Sequence, residues 1–232
     1  PANRQGRIAA DNAFGREATF RGTQGTAIVK VFELHVAHTG PNERKLDQLG
    51  IPYEKVYVHP GTHAGYYPGA SPLQLKLLFS PEDGRVLGAQ VVGVKGVDKR
   101  IDVISMAIQA GLTVYDLEES ELAYAPPFGS AKDPVNIAGF VASNALRGDY
   151  EVVHVPAIPP EEEREDLVVL DVRTPEEVSQ GRVPGALNIP VDELRHQLDE
   201  LPKDKKIYAY CGVGLRSYVA KRILKQQGVD DY

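Results

Sequence analysis

Lys206-Ile-Tyr-Ala-Tyr-Cys211-Gly-Val-Gly-Leu-Arg216-Ser-Tyr-Val-Ala-Lys-Arg-Ile-Leu-Lys225 is the stretch from which the fold of the second half of this chain is read. Ile207 to Tyr210 is apolar and aromatic and follows the charged run Lys203 to Lys206, which predicts a short buried strand. Ser217 to Gln227 predicts a helix with Val219, Ala220, Ile223 and Leu224 on one face and Lys221, Arg222 and Lys225 on the other. Gly228 is its stop signal. The turn between strand and helix starts with the only cysteine of the sequence. Gly212 and Gly214 let the backbone fold closely around that sulfur, and the amides of Gly212, Val213, Gly214 and Leu215 can turn inward as an anion nest. The start of the helix adds partial positive charge. A thiol there is expected to ionise more readily than a free cysteine, whose pKa is about 8.5. Arg216 adds a permanent cation for an anionic substrate or sulfur species. The plain alternative is a buried structural cysteine before an ordinary turn.

Upstream stand Leu167-Val-Val-Leu-Asp171-Val-Arg173-Thr-Pro-Glu-Glu and Gly181-Arg-Val-Pro-Gly-Ala-Leu-Asn-Ile-Pro190. With the Cys211 loop they resemble an α/β rhodanese domain, in which the cysteine carries a persulfide between donor and acceptor. Arg216 lies five residues after Cys211, so the loop is one residue shorter than in the related Cys-x5-Arg phosphatases, and sulfur transfer is the better reading. The resemblance implies that the loop from Gly212 to Leu215 and Arg216 stabilise the persulfide charge. It also implies that Asp171 and Arg173 shape the pocket. Arg182 stands where many relatives carry histidine, a change expected to affect local structure or docking more than catalysis.

Two modest cores fit within 232 residues. A formal charge of −6 argues against nucleic acid as a partner, and no apolar run approaches the ~20 residues that span a bilayer. A lone cysteine closes no intrachain disulfide, which points to the reducing cytoplasm. The chain opens on Pro1 at a helix start without an initiator methionine. It ends on Asp230-Asp231-Tyr232, where a rhodanese domain usually continues into another strand. Both ends are therefore expected to be truncated.

Along the chain, Pro1 to Phe14 predicts a helix with a thin apolar stripe of Ile8, Ala9 and Ala13. Thr26 to Ala37 is rich in strand formers, Pro41 to Leu49 predicts a short helix stopped by Gly50, and Tyr53 to His59 alternates as a strand. Pro72 to Phe79 and Arg85 to Val94 flank the hairpin signal Pro81-Glu-Asp-Gly84. Asp98 to Ala110 and Pro134 to Leu146 predict helices. Prolines and acids between Asp149 and Asp166 mark a linker or exposed loop, with Glu161 to Glu165 solvated, although Glu151 to Pro156 can also open a strand. The expected domains are residues 1–148, with a remnant helix of a preceding domain at 1–14, and residues 149–232. His35-x2-His38 and His59-x3-His63 have metal-like spacings without an acid or cysteine cluster, so no metal is expected.

Pro1-Ala-Asn-Arg-Gln-Gly-Arg, His63-Ala-Gly-Tyr-Tyr-Pro-Gly, Leu87-Gly-Ala-Gln-Val-Val-Gly and Tyr124-Ala-Pro-Pro-Phe-Gly-Ser-Ala-Lys-Asp-Pro resemble the α+β dimerisation domain of FAD-dependent pyridine nucleotide-disulfide oxidoreductases. Fusion to a rhodanese domain narrows the resemblance to the C-terminal part of coenzyme A-disulfide reductases with a rhodanese tail. That implies a homodimer through residues 1–148 and, in the intact enzyme, FAD, NAD(P)H and coenzyme A. Electrons would pass through FAD to a redox cysteine outside this chain and then to a coenzyme A disulfide, persulfide or polysulfide. Tyr66 and Tyr124 would reach across the dimer to the coenzyme A sulfur, in place of the His-Pro-Thr…Glu pair of glutathione-reductase relatives. Gly129 replaces a frequent serine in that loop. Asn3 and Arg4 would neighbour FAD only in the intact protein, and these residues alone are expected to bind no cofactor. Two other readings are an NADH oxidase with an accessory rhodanese tail and a non-catalytic dimerisation and docking module with a redox-sensing Cys211.

Overall fold

Leu73, Leu75 and Leu77 are buried while Gln74 is exposed, so β4 (Leu73–Phe79) turns one face to a core. The computed structural model describes residues 1–202 and 204–228, in two units, Pro1–Ser143 and Asn144–Tyr232. In the first, β1 (Ala27–Val31), β2 (Leu34–Thr39), β3 (Glu54–Val58), β4 and β5 (Val86–Gly93) form an antiparallel sheet in the order β1-β2-β5-β4-β3. α3 (Val97–Ala110) packs across β5 and β2 through Val97, Ile101 and Ile104. α1 (Ala2–Ala13) buries none of its residues, and α2 (Glu43–Leu49) is capped by Asn42 and stopped by Gly50 in the left-handed region. α4 (Val114–Glu119) and α5 (Pro134–Leu146) complete the unit, although the division between Ser143 and Asn144 falls within the last turn of α5.

The second unit is a parallel sheet ordered β7-β6-β8, formed by β6 (Leu167–Asp171), β7 (Leu187–Asn188) and β8 (Lys206–Tyr210). α6 (Pro175–Ser179) follows β6, and α7 (Leu215–Gln226) follows β8. Leu170, Val172, Ile189, Ile207, Ile223 and Leu224 meet in its core. An α+β unit is thus followed by an α/β unit, as expected.

The structure corrects several local expectations. Thr26 to Ala37 is a hairpin whose turn holds Phe32 at φ 52° and Glu33, without the Asn-Gly or Asp-Gly that announces such turns. Glu151 to Pro156 forms no strand: its neighbourhood contains a 3₁₀ turn at Val155–Ala157. α4 had not been expected, although Thr113 and Asp116 form a capping box. α7 begins at Leu215, which puts Arg216 in its first turn, and Val219 is 38% exposed because Ala220, Ile223 and Leu224 alone face the core. The expected continuation beyond Tyr232 lies outside the described residues.

Candidate functional site

The β8–α7 turn builds a sulfur site from backbone. Gly214 has φ 100°, and its amide donates to Cys211 Sγ at 3.1 Å. Ser217 Oγ lies 3.8 Å from the sulfur and donates to the Gly214 carbonyl at 2.8 Å. Burial pushes the Cys211 thiol up. The amides of Ser217, Val213 and Gly214, with the Ser217 hydroxyl, outweigh that and hold it below the usual thiol range. The sulfur packs against the core of the second unit while Val213 and Leu215 stand exposed at the rim. Such a cradle favours the thiolate form of the cysteine over the thiol.

Arg216 was expected as an available cation, and its guanidinium is already engaged. Nη1 lies 2.6 Å from Glu177 Oε2 and Nη2 lies 2.7 Å from Oε1, a bidentate pair. Glu177 is held in turn, because its Oε2 accepts from the Thr174 amide at 3.0 Å in the capping box that starts α6. The pair drives the Glu177 pKa down to about 2 and that of Arg216 up. Sequence reasoning missed Glu177 as part of this site. Its capping motif Thr174-Pro-Glu-Glu is legible, but its partner lies 39 residues away.

Asp171 and Arg173 lie at the end of β6 beside Tyr210. Asp171 is fully buried. It accepts from Arg173 Nε at 2.9 Å, Arg173 Nη2 at 2.6 Å and Tyr210 Oη at 2.5 Å. Burial alone would raise its pKa, and the bonds from Arg173 and Tyr210 lower it. Arg173 Nη2 also donates to the Gly181 carbonyl at 2.8 Å, and Tyr210 Oη accepts from the Val183 amide at 3.1 Å. This cluster fastens the turn carrying exposed Arg182 to β8, whose last residue, Tyr210, precedes Cys211.

In the first unit, Tyr66 and Tyr124 come from separate loops to line one open pocket of about 370 Å³ with Gly65, Pro126, Gly129 and Ser130. They are 83% and 61% exposed, so neither is a packing residue within this chain. Buried Arg100 joins the two loops from below. Its Nη2 donates to the Thr62 carbonyl at 2.8 Å and to Asp133 Oδ2 at 2.9 Å, and its Nε to Asp133 Oδ1 at 3.2 Å. Gly96 lies at φ 68°, in the left-handed region that favours glycine, and a Cβ there would stand 2.4 Å from Arg100 Nη1, so the guanidinium would have to shift. The base of the Tyr66 loop is closed by the Thr62 amide donating to the Ser71 carbonyl at 2.9 Å. Lys99 Nζ reaches the Ala123 carbonyl at 3.4 Å and Asp133 Oδ2 at 3.5 Å. Sequence reasoning had not singled out Arg100 or Asp133.

Asn3 and Arg4 are exposed in the first turn of α1, where they form an open helix start. His35 and His38 lie on β2 at a spacing that splits the faces of the strand, and His59 hydrogen-bonds Gln74 across β3 and β4. Among the described residues, no group of three or more His, Cys, Asp or Glu can hold a metal ion, and no helix is long and apolar enough to cross a membrane.

Comparison with known proteins places both units. Residues 26–134 match the pyridine nucleotide-disulphide oxidoreductase dimerisation domain and residues 161–232 the rhodanese-like domain. Coenzyme A disulfide reductases of Staphylococcus epidermidis and Staphylococcus aureus are 44% and 43% identical over 144 and 142 residues, in each case 61% of this chain and 32% of the relative. The crystal structure of reduced Bacillus anthracis CoADR-RHD matches 98% of this chain and 41% of its own length, with 51% identity and a TM-score of 0.94. An NAD-dependent persulfide reductase from A. fulgidus matches 99% of this chain and 41% of its own, with 43% identity and a TM-score of 0.88. The chain spans about a third of the curated relatives. Its first unit belongs to the dimerisation domains of the pyridine nucleotide-disulphide oxidoreductases and its second to the rhodanese-like domains, the pairing of coenzyme A-disulfide reductases that carry a rhodanese domain.

Proposed function

We propose that this chain is the C-terminal portion of a flavoprotein, NAD(P)H-dependent reductase of coenzyme A disulfides, persulfides or polysulfides. In this reading its rhodanese domain carries sulfane sulfur on Cys211. The observation that carries it is the amide cradle of Cys211, with the thiol below its usual pKa despite partial burial. The thiolate attacks the sulfane sulfur of a donor, a new S–S bond forms, and the donor's own bond breaks with its electron pair leaving on the donor residue. Cys211 then bears a persulfide anion whose charge faces the loop amides, and an acceptor thiolate removes the outer sulfur by the reverse exchange. Asp171 and Arg173 act by holding the neighbouring turn in place.

Tyr66 and Tyr124 serve the coenzyme A thiolate at the pocket they share, in a homodimer formed through residues 1–148. A phenol O–H there hydrogen-bonds and protonates the leaving sulfur. FAD, when bound, supplies the electron pair taken from NAD(P)H, and the contribution of this chain beside it is the α1 start with Asn3 and Arg4. The lone thiol fits the reducing cytoplasm.

Treatment with inorganic polysulfide should leave one extra sulfur on Cys211, detected as a mass gain that cyanide or excess thiol removes. Cys211→Ser should abolish it, and a folded wild-type protein that never gains the sulfur would refute the sulfurtransferase reading. A redox-sensing cysteine would oxidise without passing sulfur to cyanide. In the intact dimeric enzyme, Tyr66→Phe or Tyr124→Phe should slow coenzyme A-disulfide reduction by about tenfold to a hundredfold, from loss of one hydrogen bond to a charged group. Sulfur loading of Cys211 should stay unchanged in those variants, and full activity of the double-Phe enzyme would remove both tyrosines from the chemistry.

A further inference from the structure

Arg216 lies close enough to the sulfur loop for its guanidinium to act on Cys211, and a Cβ on Gly212 would stand 3.7 Å from its Nη2. Yet both terminal nitrogens face Glu177, at 2.6 and 2.7 Å, and the carboxylate is anchored to the Thr174 amide at the start of α6. The other guanidinium at this end of the sheet, Arg173, is bound to Asp171 and the Gly181 carbonyl. Arg182 is exposed and its charge is screened by solvent. Around the sulfur stand exposed apolar Val213 and Leu215. The loop therefore meets an incoming donor with amide dipoles and a neutralised ion pair, not with a free positive charge.

From this we propose that Glu177 is a specificity-determining positioning residue: by neutralising Arg216 it makes Cys211 select thiol-borne persulfides, which are monoanions, over the thiosulfate dianion. The inference rests on the reading of Cys211 as a sulfur carrier. Both donors undergo the same exchange. With thiosulfate the bond to sulfite breaks and sulfite leaves with the electron pair; with an alkyl persulfide the thiolate leaves instead. Total charge is conserved in each, but the thiosulfate encounter brings together one more negative charge. That extra charge is what an unpaired arginine would attract.

The test compares loading rates of the full chain with thiosulfate and with the persulfide of 2-mercaptoethanol, read by intact mass. Glu177→Gln, which keeps the shape and frees the cation, should raise the thiosulfate-to-persulfide rate ratio by about tenfold, the size expected for one charge about 6 Å away at an effective dielectric of about 40. Glu177→Asp keeps the charge and should hold the ratio near wild type. The double variant Glu177→Gln/Arg216→Gln, again neutral overall, should return it. Equal slowing with both donors would mark a merely structural pair and overturn the proposal. In wild type itself the ratio should rise modestly from low to high salt, as the extra negative charge of thiosulfate is screened. A steep fall with salt would reveal a free cation and overturn the proposal even if the variants do not fold. Absence of loading from either donor would refute the carrier reading and this inference with it, whereas loading with an unchanged ratio in Glu177→Gln refutes this inference alone.

Discussion

The two candidate sites are built in opposite ways. The sulfur site is local: strand, two glycines and helix start lie within twenty residues, and the groups that shift the thiol are mostly backbone amides. The tyrosine pocket is remote: its two phenols stand 58 residues apart, and the buried Arg100 side chain joins their loops, through the Thr62 carbonyl on one and the Asp133 carboxylate on the other. A local site depends on φ and ψ. A remote one depends on a side chain that the whole unit must keep dry.

That contrast is most easily broken at Arg100. Arg100→Met removes one partner of a pair whose side chains are 2% and 4% exposed, leaving the buried Asp133 carboxylate with the Val135 amide at 3.1 Å and Lys99 at 3.5 Å. Breaking such a pair costs about 3–5 kcal/mol. The first unit should melt well below the second in denaturant titration, with the double change Arg100→Met/Asp133→Leu recovering part of the loss. A single-variant loss under about 1 kcal/mol would mean that the loops are held by something else.

A smaller effect, confined to the local site, is expected from Gly214→Ala. The added Cβ meets no atom within 4 Å, so only the left-handed backbone at φ 100° resists it, at about 1–2 kcal/mol. Relaxing that strain turns the Gly214 amide away from Cys211. The thiol pKa, followed by alkylation rate against pH, should rise, and an unchanged profile would show that the cradle does not depend on this residue.

The smallest effect concerns acid. Glu177 has its pKa lowered from 4.5 to about 2 by Arg216, so the pair stabilises the second unit fully above about pH 4.5 and loses that contribution as pH falls toward 2. The stability gap between wild type and Arg216→Gln should therefore narrow across that window. A gap independent of pH would show that the pair contributes through packing and not through charge.

How far each site can be read in advance follows the same division. The Cys211 turn is legible because glycine spacing, a lone cysteine and the change from strand to helix pattern all lie within reach of one another. Tyr66 and Tyr124 could be named only through resemblance, since nothing in their Gly- and Pro-rich loops says that they face one pocket. Arg100 reads as one more cation on an amphipathic helix, and its buried setting emerges only when the Thr62 and Asp133 loops fold over it. The turn at Phe32 and Glu33 escaped notice because its positive φ falls on a phenylalanine. Val219 fits the apolar face by period, yet the small second unit covers only part of that face.

By itself the sequence determined the two domain types, their order and most elements of both sheets. It also pointed to Cys211 and the amides around it, because alternation, capping and glycine turns are short-range properties of the chain. Only the tertiary structure decided that Arg216 is neutralised by Glu177, that Asp171 is a buried anchor, and that Arg100 joins the two tyrosine loops. Charge pairing across 33 or 39 residues leaves no periodic trace in a sequence. Which carboxylate reaches which guanidinium is set by how the sheets and helices close around them.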